Sequence, residues 1–126
     1  RIFLCDSGSL LLGFLLSFIL IFYSIKNFLH PIILAWSISI FVYEFLSINL
    51  KRVIQRKDPF KAGLDHLHHV LFKKTKSKFK TNFVISFLNM FLFTVGYLSF
   101  NIINPLSSLI AFVMMFVVFF YFRLKY

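Results

Sequence analysis

Residues 81–122 read TNFVISFLNMFLFTVGYLSFNIINPLSSLIAFVMMFVVFFYF and contain no charged side chain. A helix needs about 20 apolar residues to cross the ~30 Å hydrocarbon core of a bilayer, so this stretch is long enough for two crossings. Asn104-Pro105 divides it, because Asn-Pro favours a turn and proline is tolerated in the first turn of a new helix. The stretch therefore predicts a helical hairpin in a membrane, with spans at about 82–100 and 105–122.

Two further apolar stretches precede this hairpin. Residues 7–25 carry no charge, and residues 31–50 carry only Glu44. The first is longer than a signal-peptide core and is followed by no small-residue cleavage site, so we interpret it as a membrane helix. The sequence thus predicts an all-α, polytopic integral membrane protein with about four transmembrane helices and one basic cytoplasmic loop.

The composition supports a protein that faces lipid. Hydrophobic residues make up 60% of the 126 positions, charged residues only 14%, and 20 residues are Phe. Globular chains average about 25% charged residues, and a small domain leaves much of its surface exposed to solvent. This excludes a soluble enzyme and a disordered protein, and the single cysteine excludes an internal disulfide framework.

The basic residues predict the orientation in the membrane. Ten of the 14 lie between residues 51 and 80, in the predicted loop 51–81. Lys and Arg accumulate in short cytoplasmic loops, so this loop and both ends of the chain are predicted to face the cytoplasm. The formal charge of +10 is then mostly a topological signal, and with no nucleic-acid recognition fold beside it we expect no nucleic-acid partner.

Two acidic residues stand out against this apolar background. Asp6 precedes the first span, where it can cap a helix or hold a divalent cation, since Mg²⁺ usually takes one or two carboxylates and substrate phosphates. Glu44 lies within the second span, where an ionisable residue is a functional hypothesis by default. The alternative is an interior acid that is satisfied by Tyr43 or a neighbouring helix, or that reaches the interface.

The tightest cluster of chemically active side chains is His66-Leu67-His68-His69. In a helix, His66 and His69 share a face and His68 points away, whereas an irregular loop can turn all three inward. The cluster is open to three interpretations: a solvated loop, a zinc site that lacks an evident fourth ligand, or a phosphate site in which imidazole and nearby cations meet an anion. The cations close enough in sequence to join it are Arg56, Lys57 and Lys61.

Two stretches in this order resemble one known family. Residues 3–14, FLCDSGSLLLGF, are similar to the motif Phe-x-Gly-Asp-x-Gly-Ser…Leu-Gly of the polyprenyl-phosphate N-acetylhexosamine-1-phosphate transferases. Residues 51–69, with KR, DPFK and DHLHH, resemble the same family's Arg-Arg…Ser-Pro-Phe…His-x-His-His motif. The resemblance covers roughly residues 1–72 closely and the last two spans only in hydropathy.

The resemblance implies a reaction at the cytoplasmic face of the inner (plasma) membrane. A sugar-1-phosphate moves from a UDP-sugar to polyprenyl phosphate and releases UMP, with Mg²⁺ or Mn²⁺ as cofactor. It also implies roles for residues of this chain: Asp6 as metal ligand, the three histidines at the nucleotide sugar, and Phe3 against the uracil. Relatives often carry Asp at the position of Glu44, and we expect the substrate-binding set to be Phe3, Glu44, Lys57 and Lys61, beside the catalytic set Asp6, His66, His68 and His69.

The chain also departs from the family pattern. Cys5 stands where the motif has Gly, and Gly63-Leu64 stands where many relatives have Asp-Arg. The Asp-Asp pair and the Asn/Asp-rich motif of the family's N-terminal half are absent from these residues. We therefore expect this chain to be the C-terminal part of a longer enzyme and to be inactive alone. The rival hypothesis is a non-catalytic membrane protein, a transporter subunit or scaffold with a lipid-binding basic loop.

Overall fold

A computed structural model describes residues 6–58 and 66–125, without the side chains of Asp6, Ser7 and Ser9. The described residues form helices joined by turns and contain no strand, which confirms the predicted all-α class. The helices are α1 (Asp6–Ile25), α2 (Pro31–Ser37), α3 (Ser39–Ile54), α4 (Leu67–Thr75), α5 (Lys78–Ile102) and α6 (Pro105–Lys125).

The predicted hairpin is formed by α5 and α6. Both helices are long and apolar enough to cross a membrane. Pro105 is the first residue of α6, and the carboxamide oxygen of Asn104 accepts a hydrogen bond from the Ser107 backbone N–H at 2.7 Å. This cap satisfies one of the backbone donors that every helix start leaves unpaired. The turn therefore lies where the Asn-Pro pair predicted it.

The second apolar stretch is not one straight helix. It is divided into α2 and α3, which meet at a bend of 74° around Ile38. The pair is apolar and long enough to count together as one span, so the described residues contain two or three helical spans by length and composition. In α1, the apolar part Leu10–Ile25 is shorter than these spans.

The core lies where α2 and α3 pack against the hairpin. Trp36 and Tyr43 are fully buried, and Ile40 and Leu92 lie beside them. The ring of Phe112 on α6 contacts both buried aromatic rings, with centroids 5.0 Å from Trp36 and 4.9 Å from Tyr43. Most other large apolar side chains are exposed, as expected for a surface that faces lipid.

Candidate functional site

Glu44 of α3 lies beside the first residues of α4. Its Oε1 atom accepts a hydrogen bond from the backbone N–H of Leu67 at 2.7 Å and lies 3.1 Å from Nδ1 of His66. The Glu44 side chain is 18% exposed, against 48% for His66, so the carboxylate is the more buried partner. An acid within a membrane helix is thereby linked directly to the histidine cluster.

The start of α4 explains why this carboxylate is needed. His66 occupies the N-cap position with an extended backbone, but its side chain accepts no hydrogen bond from the helix. The first N–H groups of a helix have no partner within the helix, and its N-terminus favours negative charge. Glu44 meets both requirements from a different helix, so the cap of α4 is supplied by tertiary structure.

The other end of α4 is fixed by its turn into α5. Lys76 adopts a left-handed conformation with φ of 51°, which ends α4. The hydroxyl oxygens of Thr75 and Thr81 are 2.8 Å apart, and each lies within hydrogen-bond distance of the backbone oxygen of Ser77, at 3.2 and 2.9 Å. These contacts hold α4 against the start of α5 and keep the histidines at the end of the helical bundle.

The three histidine rings lie close together. The ring centroids of His68 and His69 are 4.1 Å apart, and His66 lies 5.6 Å from His68 and 6.4 Å from His69. A continuous helix would turn His68 away from the other two. Because α4 begins only at Leu67 and His66 is extended, the backbone changes direction between His66 and the two helical histidines, and all three ring centroids lie within 6.4 Å of one another.

The neighbours of His68 change its proton affinity. The pKa of His68 lies below its ordinary value of 6.5, first because protein atoms partly desolvate the ring and then because His69, and to a lesser extent His66, oppose a second positive charge. The Glu44 carboxylate raises the pKa of His68, but by less than desolvation and the other two histidines together lower it. The arrangement therefore favours neutral His68 at neutral pH.

The remaining predicted site residues are less completely described. Asp6 is the first residue of α1, but its side chain lies outside the described part of the chain. Phe3 and Lys61 are also outside the described residues, and Lys57 is exposed just beyond α3. The structure thus brings Glu44 together with the histidines, while the meeting of Asp6 with them stays a prediction.

The side chains that the structure describes, within residues 6–58 and 66–125, do not form a metal centre. In that part of the chain, no group of three or more His, Cys, Asp or Glu side chains is arranged to hold a metal ion. The side chain of the predicted Mg²⁺ or Mn²⁺ ligand, Asp6, lies outside the described part of the chain. Its role as a metal ligand is therefore carried only by the sequence resemblance.

Sequence reasoning missed one polar residue that shapes the membrane part. The side-chain amide of Asn89 on α5 donates to the backbone oxygen of Ser37 at 3.1 Å, and its oxygen lies 3.4 Å from the backbone nitrogen of Ile40. It therefore pairs backbone groups on both sides of the α2–α3 bend. The available signal was an amide inside an otherwise apolar span, which is costly unless it has partners.

Comparison with curated proteins yields two relatives, both named undecaprenyl-phosphate alpha-N-acetylglucosaminyl 1-phosphate transferase. The protein from Haemophilus influenzae is 25% identical over 124 residues, which are 96% of this chain and 35% of that protein. The protein from Pasteurella multocida is 26% identical over 100 residues, which are 78% of this chain and 28% of that protein. No family model and no solved structure matches the chain.

These matches confirm the resemblance to the sugar-1-phosphate transferases. The chain spans 35% and 28% of the lengths of the two curated relatives. Together with the apolar helices, the relatives support a multi-pass membrane protein.

Proposed function

We propose that this chain carries the nucleotide-sugar-binding part of an enzyme that starts glycan-lipid synthesis. In the proposed reaction, a phosphate oxygen of polyprenyl phosphate attacks the sugar-linked phosphorus of a UDP-N-acetylhexosamine. A new P–O bond forms, the bond from that phosphorus to the bridging oxygen breaks, and UMP leaves with the bridging oxygen. The product is a polyprenyl-pyrophosphate sugar.

One observation carries this proposal: the three histidines of the resembling motif lie together and are anchored to Glu44. Phosphoryl transfer requires positioning and charge stabilisation more than covalent chemistry by the protein. Imidazole N–H groups and nearby cations are suited to bind the pyrophosphate and polar edges of a nucleotide sugar. Lys57 and Lys61 are the cations that we propose to complete this set.

The membrane location fits the proposed acceptor. Polyprenyl phosphate is a lipid, so its phosphate is presented at the membrane surface. The histidine cluster follows α3 and precedes α5, at the end of the bundle where the basic residues accumulate. By the positive-inside rule this end is proposed to face the cytoplasm, where UDP-sugars are made available.

The proposed metal ligand is Asp6, with Mg²⁺ or Mn²⁺ as the ion. A divalent ion would neutralise charge on the substrate phosphates, and a carboxylate at a helix start is a suitable ligand type. Replacing Asp6 by Asn should abolish transfer while the protein still inserts into membranes at the level of the unmodified chain. Undiminished transfer by that variant would exclude the metal role.

The decisive experiment measures UMP release by the complete protein that contains this chain. Membranes carrying it are supplied with undecaprenyl phosphate, Mg²⁺ and a panel of UDP-sugars. We expect UMP to appear with a UDP-N-acetylhexosamine and to require the lipid phosphate. The rival hypothesis of a lipid-binding scaffold would be favoured if no UDP-sugar of the panel gives UMP and the protein binds anionic vesicles.

Variants of the cluster test which residues serve the reaction. Loss of a hydrogen bond to a charged group weakens binding about 10- to 100-fold, so His68→Ala and His69→Ala should raise the KM for the UDP-sugar by about that factor. The matched control is Phe45→Leu, next to Glu44 on α3 but 67% exposed. Unchanged kinetics in both histidine variants would remove them from the site.

A further inference from the structure

We infer that Glu44 is a positioning residue, which anchors α4 and fixes the ring of His66 with Nδ1 protonated and Nε2 facing outward. This inference rests on the proposed function and revises the role expected for Glu44 from its sequence, which was direct substrate binding. Glu44 would then act on the nucleotide sugar only through His66 and the helix that follows it.

One oxygen of the Glu44 carboxylate is engaged by two protein groups at the start of α4. A single oxygen, Oε1, receives the Leu67 N–H at 2.7 Å and contacts His66 Nδ1 at 3.1 Å. Both partners are adjacent in the chain, so the carboxylate holds the point where the backbone passes from the loop into α4. Both donors are protein groups at the start of α4 and the side chain is mostly buried, so the contacts made through Oε1 serve the position of α4.

The same contact determines the protonation pattern of the imidazole. An ionised carboxylate can only accept hydrogen bonds, so the proton of the His66–Glu44 contact must lie on Nδ1. In neutral His66, Nε2 then carries a lone pair and can only accept. Phosphate oxygens are also acceptors, so neutral His66 is suited to an N–H or O–H group of the nucleotide sugar and not to its pyrophosphate.

The length of α4 makes its anchor important. The helix has nine residues, and isolated helices shorter than about 12–15 residues are marginal in water. Its position therefore depends on tertiary contacts at its two ends, Glu44 at the start and the Thr75–Thr81 pair at the end. Loss of the first contact should release the histidine end of α4 while the other end stays attached.

The first test needs no enzymatic activity. The full chain, uniformly labelled with ¹⁵N in detergent micelles, is examined by NMR to identify which ring nitrogen of His66 carries the proton. Hydrogen exchange at the Leu67 amide is followed in the same sample. We expect Nδ1–H for His66 and a protected Leu67 amide. Both should be lost in Glu44→Leu and retained in Glu44→Gln, because the amide oxygen of Gln can still accept both hydrogen bonds. Phe45→Leu should match the unmodified chain.

The inference is overturned if His66 carries its proton on Nε2 in the unmodified chain, or if Glu44→Leu leaves the ring and the Leu67 amide unchanged. These outcomes are independent of whether the protein transfers a sugar phosphate. Failure of the UMP assay alone would contradict the proposed function, and the NMR result would still decide the role of Glu44.

A second test uses the UMP assay with the complete protein. Glu44→Leu should raise the KM for the UDP-sugar about 10-fold or more, and Glu44→Gln less than about threefold. If Glu44 acts through His66, the double variant Glu44→Leu with His66→Ala should be little worse than the stronger single variant, since coupled residues are non-additive. The inference is overturned if the KM increases of the two single variants multiply in the double variant. It is also overturned if Glu44→Leu and Glu44→Gln raise the KM equally.

Discussion

The indole ring of Trp36 on α2 packs directly against the backbone of Gly96 on α5. A Cβ atom placed on Gly96 would overlap the indole ring, whereas a Cβ atom on Gly13 of α1 would meet nothing within 4 Å. Gly96 is therefore the position at which α5 approaches α2 closely enough to bury the only tryptophan. Small residues commonly serve this purpose where helices pack in membranes.

The two glycines provide a matched pair of substitutions. Gly96→Ala should destabilise the protein by about 1–3 kcal/mol, the usual cost of overpacking a filled core. Gly13→Ala, also within a helix, should leave stability within about 1 kcal/mol of the original. Unfolding in mixed micelles, followed by tryptophan fluorescence, measures both. Equal stability of the two variants would show that α2 and α5 do not approach at Gly96.

Ser108 links the same indole to the backbone of α5. Its hydroxyl accepts from Trp36 Nε1 at 3.0 Å and donates to the Gly96 backbone oxygen at 3.0 Å, and the residue is fully buried. Ser108→Ala leaves a buried indole N–H without its partner, so we expect a loss of about 1–3 kcal/mol in the same unfolding measurement. The control is Ser17→Ala, since Ser17 is exposed and its hydroxyl donates to the backbone oxygen of Gly13 in its own helix. The explanation fails if both variants unfold alike.

The α2–α3 bend should depend on Asn89. Substitution by Leu removes the amide that pairs the backbone of Ser37 and Ile40, in a region where water cannot replace it. We expect Asn89→Leu to destabilise the protein by about 1–3 kcal/mol and to increase hydrogen exchange at Ile40. Asn101→Leu is the control, because Asn101 is exposed and its side-chain amide donates to the Tyr97 backbone oxygen within α5. Unchanged exchange at Ile40 would contradict the role of Asn89.

The lowered pKa of His68 predicts a dependence on pH. The folded protein holds a proton on this ring less tightly than the unfolded chain, so its contribution to stability is complete above the ordinary pKa of 6.5 and decreases as the pH falls below it. NMR titration of the His68 ring should give a midpoint below 6.5. His69→Ala should raise that midpoint, since it removes the nearest opposing charge. A midpoint at the ordinary value in the unmodified chain would contradict this electrostatic explanation.

Local pattern was enough to predict the helical class and the turn at Asn104-Pro105. Apolar length and proline position act within one segment, and helical hydrogen bonds close within four residues. The pattern also identified Glu44 and the histidine motif as unusual, because a charge in an apolar span and three imidazoles in four residues stand out without any structure.

Local pattern did not reveal which residues pair. The proximity of Glu44 to His66, separated by 22 positions, depends on how α3 and α4 come together. The backbone groups on both sides of the bend at Ile38 are likewise paired by Asn89, about 50 residues away. After Pro31, no proline or glycine up to Leu50 marks a break in the helix.

The sequence by itself determined that this chain is helical, lies in a membrane and carries an imidazole cluster beside a basic segment. The tertiary structure alone decided that the second apolar stretch is bent and that an intramembrane carboxylate caps the histidine helix. The physical reason is the range of the forces: hydropathy and backbone hydrogen bonding are properties of neighbouring residues, whereas a buried polar group obtains its partners from helices that only packing brings near.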